Sequence, residues 1–566
     1  MLRALSSHWL YKMKISKRTR KKKESQQHAP SPGLQDKSVC YNRFISWGLV
    51  IAAIVFIAAI RIRLLSIPLE RDEGEFAYMG QLMLQGIPPY ALAANMKLPG
   101  TYAAYALIMA LFGQTIEGIH LGFLLVNVST MILLFLLTRR LFDDYTGVVA
   151  CATFGILSLN PSLYGTSAHA SHFVLLPALG GIILLLKALQ HNKWFTFFLS
   201  GILLGFSFII KQPGLFFSVF ALFYLIGSHI KKAHTHVRPF FIRMALFASG
   251  VIIPYIATCI TLYALGVFKK FWFWTVLYAY QYGTLSSFSE GIRLFLSRMS
   301  KIIGDFYLLW VLAAVGLLVV ILDKELRSRA AFVFGFFLFS FLALCPGLYF
   351  REHYFVFIVP TIAICSGIAV TYFRKHAAHW PALRLVPGLL FLLCFFHGVF
   401  LQRSFFFTLS PEMACRQMYF PNPFPESIEI ARYIKTHSLP DSTIAVLGSE
   451  PQIYFYAHRH SATSYLYTYS LMENQKYADI MQKEMIAEIE NTQPQYIICV
   501  NITKSWLRTT DSNMRLLSDW LMNYQKQYVL AGIVDIVSRS KTEYRWESEA
   551  QGYKPGPAYV IVLKRI

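Results

Sequence analysis

Four carboxylates crowd into six positions in the segment Glu70-Arg71-Asp72-Glu73-Gly74-Glu75, which continues as Phe76-Ala77-Tyr78. Two chemistries suit such a run. One is a solvated cap with Arg71 pairing locally. The other is a carboxylate general base, supported by a second carboxylate that orients it or holds a divalent metal. Lys97, in Lys97-Leu98-Pro99-Gly100-Thr101-Tyr102, is a solitary cation in an apolar, turn-forming context. It suits either snorkelling to headgroups or holding a phosphate. Lys211, in Lys211-Gln212-Pro213-Gly214, interrupts an apolar stretch, and Arg351 stands in Tyr349-Phe350-Arg351-Glu352-His353-Tyr354. The forked guanidinium of an arginine suits a pair of phosphate oxygens. His169 and His172 form an i, i+3 pair that would need a third ligand to hold a metal.

Something must hold these groups at one place, and the composition says what. The 566 residues are 55% hydrophobic and 15% charged, against roughly 25% charged residues in soluble domains. Apolar runs long enough for a bilayer recur at about 44–62, 117–138, 146–164, 170–188, 194–210, 213–229, 243–265, 305–322, 330–348, 353–373 and 383–402. The expectation is a polytopic α-helical membrane protein of about 11 transmembrane helices. The net charge of +23 does not imply nucleic acid, because nine lysines and arginines sit in residues 1–23 without an acid and most other basic clusters sit in alternate short loops. There the positive-inside rule places the cytoplasm. The tail, residues 1–43, is thus expected inside, as an uncleaved anchor in contact with membrane lipids. An odd number of spans then puts the outer loops 63–116 and 266–304, and everything after about residue 403, on the extracytoplasmic side.

From about residue 421 the composition turns to that of a soluble protein. Helix signals at about 426–437, 472–490 and 512–526 alternate with strand signals at 443–447, 495–501, 528–537 and 557–563, a small α/β domain within 403–566. It has no Gly-rich dinucleotide fingerprint and no P-loop, so no cofactor is read for it. The eight cysteines are scattered without metal-site spacing; Cys415 and Cys499 fall in the polar C-terminal region, where a disulfide is conceivable.

The run Arg71-Asp72-Glu73-Gly74-Glu75-Phe76-Ala77-Tyr78, with Lys97-Leu98-Pro99-Gly100-Thr101-Tyr102 and Tyr105-Ala106-Leu107, resembles the first outer loop of the bacterial protein-mannosyltransferase-like glycosyltransferases of family 39. Lys211-Gln212-Pro213, His353-Tyr354-Phe355 with Pro360, and Gly448-Ser449-Glu450-Pro451-Gln452-Ile453-Tyr454 agree with it. That family has the GT-C fold and includes the lipid A aminoarabinose transferases. The resemblance implies a sugar donor on a polyprenyl phosphate, transfer outside the cytoplasm and inversion at the anomeric carbon. It implies Asp72 as general base and Glu73 as its acidic neighbour, where a divalent metal would be sought. Tyr78, Tyr102, His353 and Tyr354 become candidate substrate-binding residues. The family setting favours a bacterial inner membrane with the soluble domain in the periplasm. No inserted lumenal domain of the eukaryotic enzymes is recognisable, which puts a protein acceptor in doubt beside a glycan or lipid one.

The chemistry fits these residue types. An acceptor hydroxyl must lose a proton while the departing phosphate oxygen gains charge. Asp72 suits the first task, and Lys97, Arg351 and Lys211 suit the second. Two other classes fit a polytopic chain: a lipid or glycolipid transporter or flippase, and a noncatalytic membrane scaffold. Transporters often carry matched halves with broken helices, and no such internal symmetry is visible here.

Overall fold

The structure, a computed structural model, describes residues 32–231, 237–377, 381–508 and 512–566. The basic run Lys17 to Lys23 and the loop cation Lys232 lie outside them. Each expected apolar stretch contains a helix, among them Pro32–Arg63, Ile116–Leu141, Asp144–Leu157, Ala170–His191, Trp194–Ile210, Val237–Ala264 and Val359–His376. Among the described residues five helices are long and apolar enough to cross a membrane. There are six if Phe288–Gly304 and Tyr307–Leu322, bent by 107°, make one span. Asp144–Leu157 and Trp194–Ile210 have 14 and 17 residues. At about 1.5 Å per residue they fall short of a hydrocarbon core of about 30 Å. Length alone therefore does not reach a count of eleven. The bent segment Phe288–Gly304 carries Phe288, Ile292 and Leu296 at four-residue spacing, all exposed, beside Arg293, Arg298 and Lys301. That is the pattern of a helix lying in a membrane interface.

Small residues set close helix contacts. Gly201 on Trp194–Ile210 faces Phe247 of Val237–Ala264, where an added Cβ would stand 2.2 Å from the Phe247 carbonyl oxygen. Backbones in a lipid-facing bundle approach closely where side chains are absent.

The stretches 63–116 and 266–304 both contain helices. In 63–116 a capping box starts the helix Arg71–Leu84: the Glu70 carboxylate accepts from the Glu73 N–H while Glu73 accepts from the Glu70 N–H. Pro99 opens a second helix, Pro99–Phe112. Stretch 266–304 holds Phe268–Trp272, a π-helical turn Phe273–Tyr278, Ala279–Gly283 and Phe288–Gly304.

The C-terminal portion is a six-stranded mixed sheet. Its strands are β1 (Thr443–Leu447), β2 (His460–Ser461), β3 (Tyr496–Asn501), β4 (Tyr528–Ser538), β5 (Lys541–Trp546) and β6 (Tyr559–Arg565), in the order β2-β1-β3-β6-β4-β5. β1 and β3 run parallel, joined through the helix Ala478–Thr492. β6 lies antiparallel between β3 and β4. The four expected strands are present, and β2 and β5 were not anticipated. β2 has two residues, too few to show alternation. The expected helix 472–490 divides into Tyr469–Met472 and Ala478–Thr492. Cys415 and Cys499 are free thiols.

The helix Arg71–Leu84 docks directly on this domain. A Cβ on Gly74 would lie 2.6 Å from the Gln452 backbone nitrogen, so only glycine allows the approach of the helix Gln452–Ala457. Beside it Arg71 donates to Glu450 at 2.9 Å, to the Ser449 carbonyl at 2.5 Å and to Asn422 at 3.1 Å. Arg71 thus pairs across to the C-terminal domain instead of within its own run.

Candidate functional site

A cavity of about 560 Å³ lies where the helices of 63–116 and 266–304 meet the C-terminal domain. Asp72, Lys97, Lys211, Arg351, His353 and Tyr354 all line it. Asp72 is the second residue of its helix. Its Oδ1 accepts from Lys97 Nζ at 2.8 Å and from the Tyr467 hydroxyl at 3.3 Å. Its Oδ2 stands 3.8 Å from His169 Nδ1 and 3.8 Å from His353 Nε2. Burial alone would push this carboxyl up. Lys97 and the two histidines more than offset that and hold it well below the usual carboxylate range. It is a carboxylate at neutral pH, with a quarter of its side chain exposed (25%).

Lys97 also donates to Glu75 Oε2 at 2.6 Å and lies 4.6 Å from the Phe76 ring centroid. Burial disfavours its charge, and the two carboxylates restore it, so its pKa rises above the ordinary lysine value. Lys211 Nζ donates to Ser171 Oγ at 3.1 Å and sits 4.2 Å from the centre of the Tyr354 ring. Burial pushes its pKa down to about 7; Asp72 opposes the shift, and Lys97 and Arg351 add to it. Arg351 contacts the Tyr282 hydroxyl at 3.4 Å. Lys97, Lys211 and Arg351 therefore converge on one cavity, with the Asp72 carboxylate between Lys97 and the two histidines.

Other expected residues stand away from the lining. Glu73 is fully buried: Oε1 accepts from His120 Nε2 at 3.0 Å and from the Ala168 N–H at 2.5 Å. Burial raises its pKa, and His120 and the Ala168 amide bring it below the ordinary value. It fastens the helix start to the turn carrying His169. The Tyr78 hydroxyl accepts from the Ser461 N–H at 2.7 Å, and Tyr102 donates to Glu75 Oε1 at 2.7 Å. Both rings are buried.

His169 does not pair with His172, which lies edge-on to Phe123 at 4.9 Å. It stacks on His353, with centroids 4.1 Å apart and planes within 10°. Asp72, His169 and His353 offer ligand atoms within 4.8 Å of one another, the group of metal-ligand type among the described residues. Glu73 has no part in it. Imidazole lone pairs lie in the ring planes, and two nearly parallel rings this far apart cannot both direct them at one ion about 2.0–2.1 Å away. As placed, the histidines fit Asp72 better than a shared metal. The His169 pKa is depressed by burial, but Glu70 and Asp72 bring it above the ordinary value, while burial and the His169 charge keep His353 well below it. Glu70, 3.5 Å from His169 Nδ1, is pushed by burial up to about 7.

Sequence reasoning missed the wall given by the C-terminal domain. Tyr467 and Tyr469, with Tyr465 and Glu473, line the cavity. The alternation in Tyr465-Leu466-Tyr467-Thr468-Tyr469, outside any strand, was the available signal.

The fold is that of the GT-C membrane glycosyltransferases. ArnT from Cupriavidus metallidurans in the apo state superimposes with a TM-score of 0.55 at 14% identity, over 92% of this chain and 98% of that one. The same protein bound to undecaprenyl phosphate gives 0.53 at 13%, over 91% and 97%. The archaeal oligosaccharyltransferase AglB from Archaeoglobus fulgidus, in complex with an inhibitory peptide and a dolichol-phosphate, gives 0.51 at 11%, over 91% and 75%. In sequence, residues 97–257 match the family described as dolichyl-phosphate-mannose-protein mannosyltransferase, so the resemblance to the family 39 mannosyltransferases holds. No curated protein matches the chain. With its several apolar helices and these relatives, the chain is a multi-pass membrane protein.

Proposed function

We propose that this protein is an integral-membrane glycosyltransferase that moves a sugar from a polyprenyl-phosphate donor to an acceptor hydroxyl, with Asp72 as general base. The observation that carries this reading is the convergence of Lys97, Lys211 and Arg351 on the cavity edge that Asp72 occupies. An anionic phosphate answers the surplus of positive charge, and preorganised cations act most strongly as the leaving oxygen gains charge. The acceptor oxygen attacks the anomeric carbon from the face opposite the phosphate, and the carbon–oxygen bond to phosphate breaks with its electron pair. The hydroxyl proton passes to Asp72, and configuration inverts. Once the phosphate shares Lys97, Asp72 loses part of the charge that lowers its basicity. Basicity then rises at the moment a base is needed.

In this reading the chain spans a bacterial inner membrane about eleven times, with a cytoplasmic N-terminus and a periplasmic C-terminal domain. Mass spectrometry of envelope lipids and glycans, with and without the protein, tests it. A molecule that lacks one glycosyl unit without the protein supports it; unchanged envelope molecules overturn it.

A further inference from the structure

The part of the cavity lining given by the C-terminal domain differs in kind from the cations, being aromatic: Tyr467 lies under Lys97, with its ring centroid at 5.4 Å, and Tyr469 under Arg71, at 5.2 Å. Tyr467 and Tyr469 stack with centroids 5.6 Å apart and planes within 9°. Tyr467 touches both the Arg71 carbonyl, at 3.0 Å, and Asp72. Trp274 packs on Tyr465 at 5.9 Å and meets Tyr278 edge to face at 5.0 Å, and the Tyr278 hydroxyl donates to Glu473 Oε2 at 2.5 Å. Among the described residues Glu473 has no ion-pair partner within 4.0 Å. Its partner is a neutral phenol, and it lines the cavity. Burial raises this carboxyl to about 7, against the Tyr278 hydrogen bond and the Arg351 charge.

Each acceptor class makes a different demand on this wall. A peptide taken up by strand addition needs a sheet edge, and the edge strands β2 and β5 contribute nothing to the lining. A phosphorylated headgroup would find Glu473 against it, and the nearby Lys97 and Arg351 are the groups assigned to the donor phosphate. A saccharide presents C–H faces to flat rings and hydroxyl donors to a carboxylate, and ligands enter such sites through apolar surface with a few placed polar groups. A site that pairs its polar groups with substrate hydroxyls also rejects analogues lacking them.

We propose that Tyr467, Tyr469, Tyr278 and Glu473 form the acceptor subsite, and that the acceptor is a saccharide. Its ring packs on the tyrosines, one hydroxyl donates to Glu473, and another is delivered past Tyr467 to Asp72. The new bond is a glycosidic link from the donor's anomeric carbon to that hydroxyl oxygen; its proton goes to Asp72 and the polyprenyl phosphate leaves with the electron pair. This rests on the transferase reading above.

The test is linkage analysis of the envelope molecule that loses a sugar in an Asp72→Asn strain, followed by kinetics with that molecule as acceptor in membranes holding the full chain. The expected link is sugar to sugar. Recovery in the organic phase marks a lipid-borne saccharide, and recovery in the aqueous phase a free one; both agree with the proposal. Tyr469→Ala and Glu473→Gln should each raise acceptor KM roughly tenfold, as expected for a lost contact worth about 1.4 kcal/mol, and leave donor KM unchanged. A sugar attached to a Ser, Thr or Asn side chain, or directly to a lipid alcohol, overturns the acceptor assignment while the transferase reading survives. So do unchanged acceptor KM values in both variants. No altered molecule either in the Asp72→Asn strain or in a strain lacking the protein defeats the transferase reading itself, and the acceptor assignment with it.

Discussion

Replacing Lys97 by Met separates what this lysine does for folding from what it does for chemistry. Lys97 Nζ bridges Asp72 at 2.8 Å and Glu75 at 2.6 Å, with 17% of the lysine side chain and none of the glutamate's exposed. Without it, Glu75 keeps neutral partners, among them the Tyr102 hydroxyl at 2.7 Å and the Asn95 amide at 2.9 Å. Removing one partner of a buried pair costs about 3–5 kcal/mol, because the other charge stays uncompensated. At roughly 2–4 °C per kcal/mol for a mid-sized domain, and less for a longer chain, the apparent Tm in detergent should fall by on the order of 5 °C. Adding Glu75→Gln removes the stranded charge and keeps an oxygen that accepts from Tyr102. The double variant should recover most of the lost Tm. Transfer should stay depressed in both, because the phosphate has lost a charge-assisted donor worth on the order of 2–4 kcal/mol in the transition state. The assays are thermal unfolding by tryptophan fluorescence and transfer of a labelled sugar from polyprenyl phosphate in membranes. Activity that returns together with stability would refute the phosphate role, and an unchanged Tm in the single variant would refute the buried bridge.

Gly74→Ala places a methyl 2.6 Å from the Gln452 backbone, so the helix bearing Asp72 must shift; transfer should fall on the order of tenfold or more at near-normal expression, read by the same assay. With its pKa depressed to about 7, Lys211 is a cation below that pH and neutral above it. Donor kcat/KM should therefore decline as pH rises through about 7, and Lys211→Arg, which stays charged, should abolish that alkaline limb in a pH profile. Alkaline phosphatase fused after Ile566 should be active if the C-terminal domain lies outside the cytoplasm, and a cytoplasmic reporter there should be silent.

What was legible in the sequence was charge out of place. Lys97, Lys211 and Arg351 stand on turns where lipid-facing composition and loop asymmetry supply no reason for a cation, and all three reach the cavity. The acidic run was harder to read, because a loop does not assign directions to its residues. In the helix Arg71–Leu84 each residue turns about 100° from the last. Asp72 therefore faces the cavity, Glu73 turns towards His120, and Glu75 comes back near Asp72 to share Lys97. The same rotation takes Tyr78 away to Ser461. The neighbour of His169 in space, His353, is distant in sequence and so was not legible, whereas His172 is only close in sequence. The tyrosine wall belongs to a domain whose docking depends on Gly74 against Gln452, a contact between residues hundreds apart that no local pattern announces.

The central claim is that Asp72 accepts the proton, and substituting it by Asn tests this most directly. The amide keeps the shape of the carboxylate at a quarter-exposed position and removes the proton acceptor. In membranes with a polyprenyl-phosphate-linked donor, Asp72→Asn should fold, bind donor and lose transfer by about 10²–10⁴-fold, the usual contribution of a general base. Glu73→Gln, which changes a group buried against His120 and Ala168, should lose far less. Near-normal transfer by Asp72→Asn would contradict the account; if Glu73→Gln were then the inactive variant, the base would lie outside the cavity described for it.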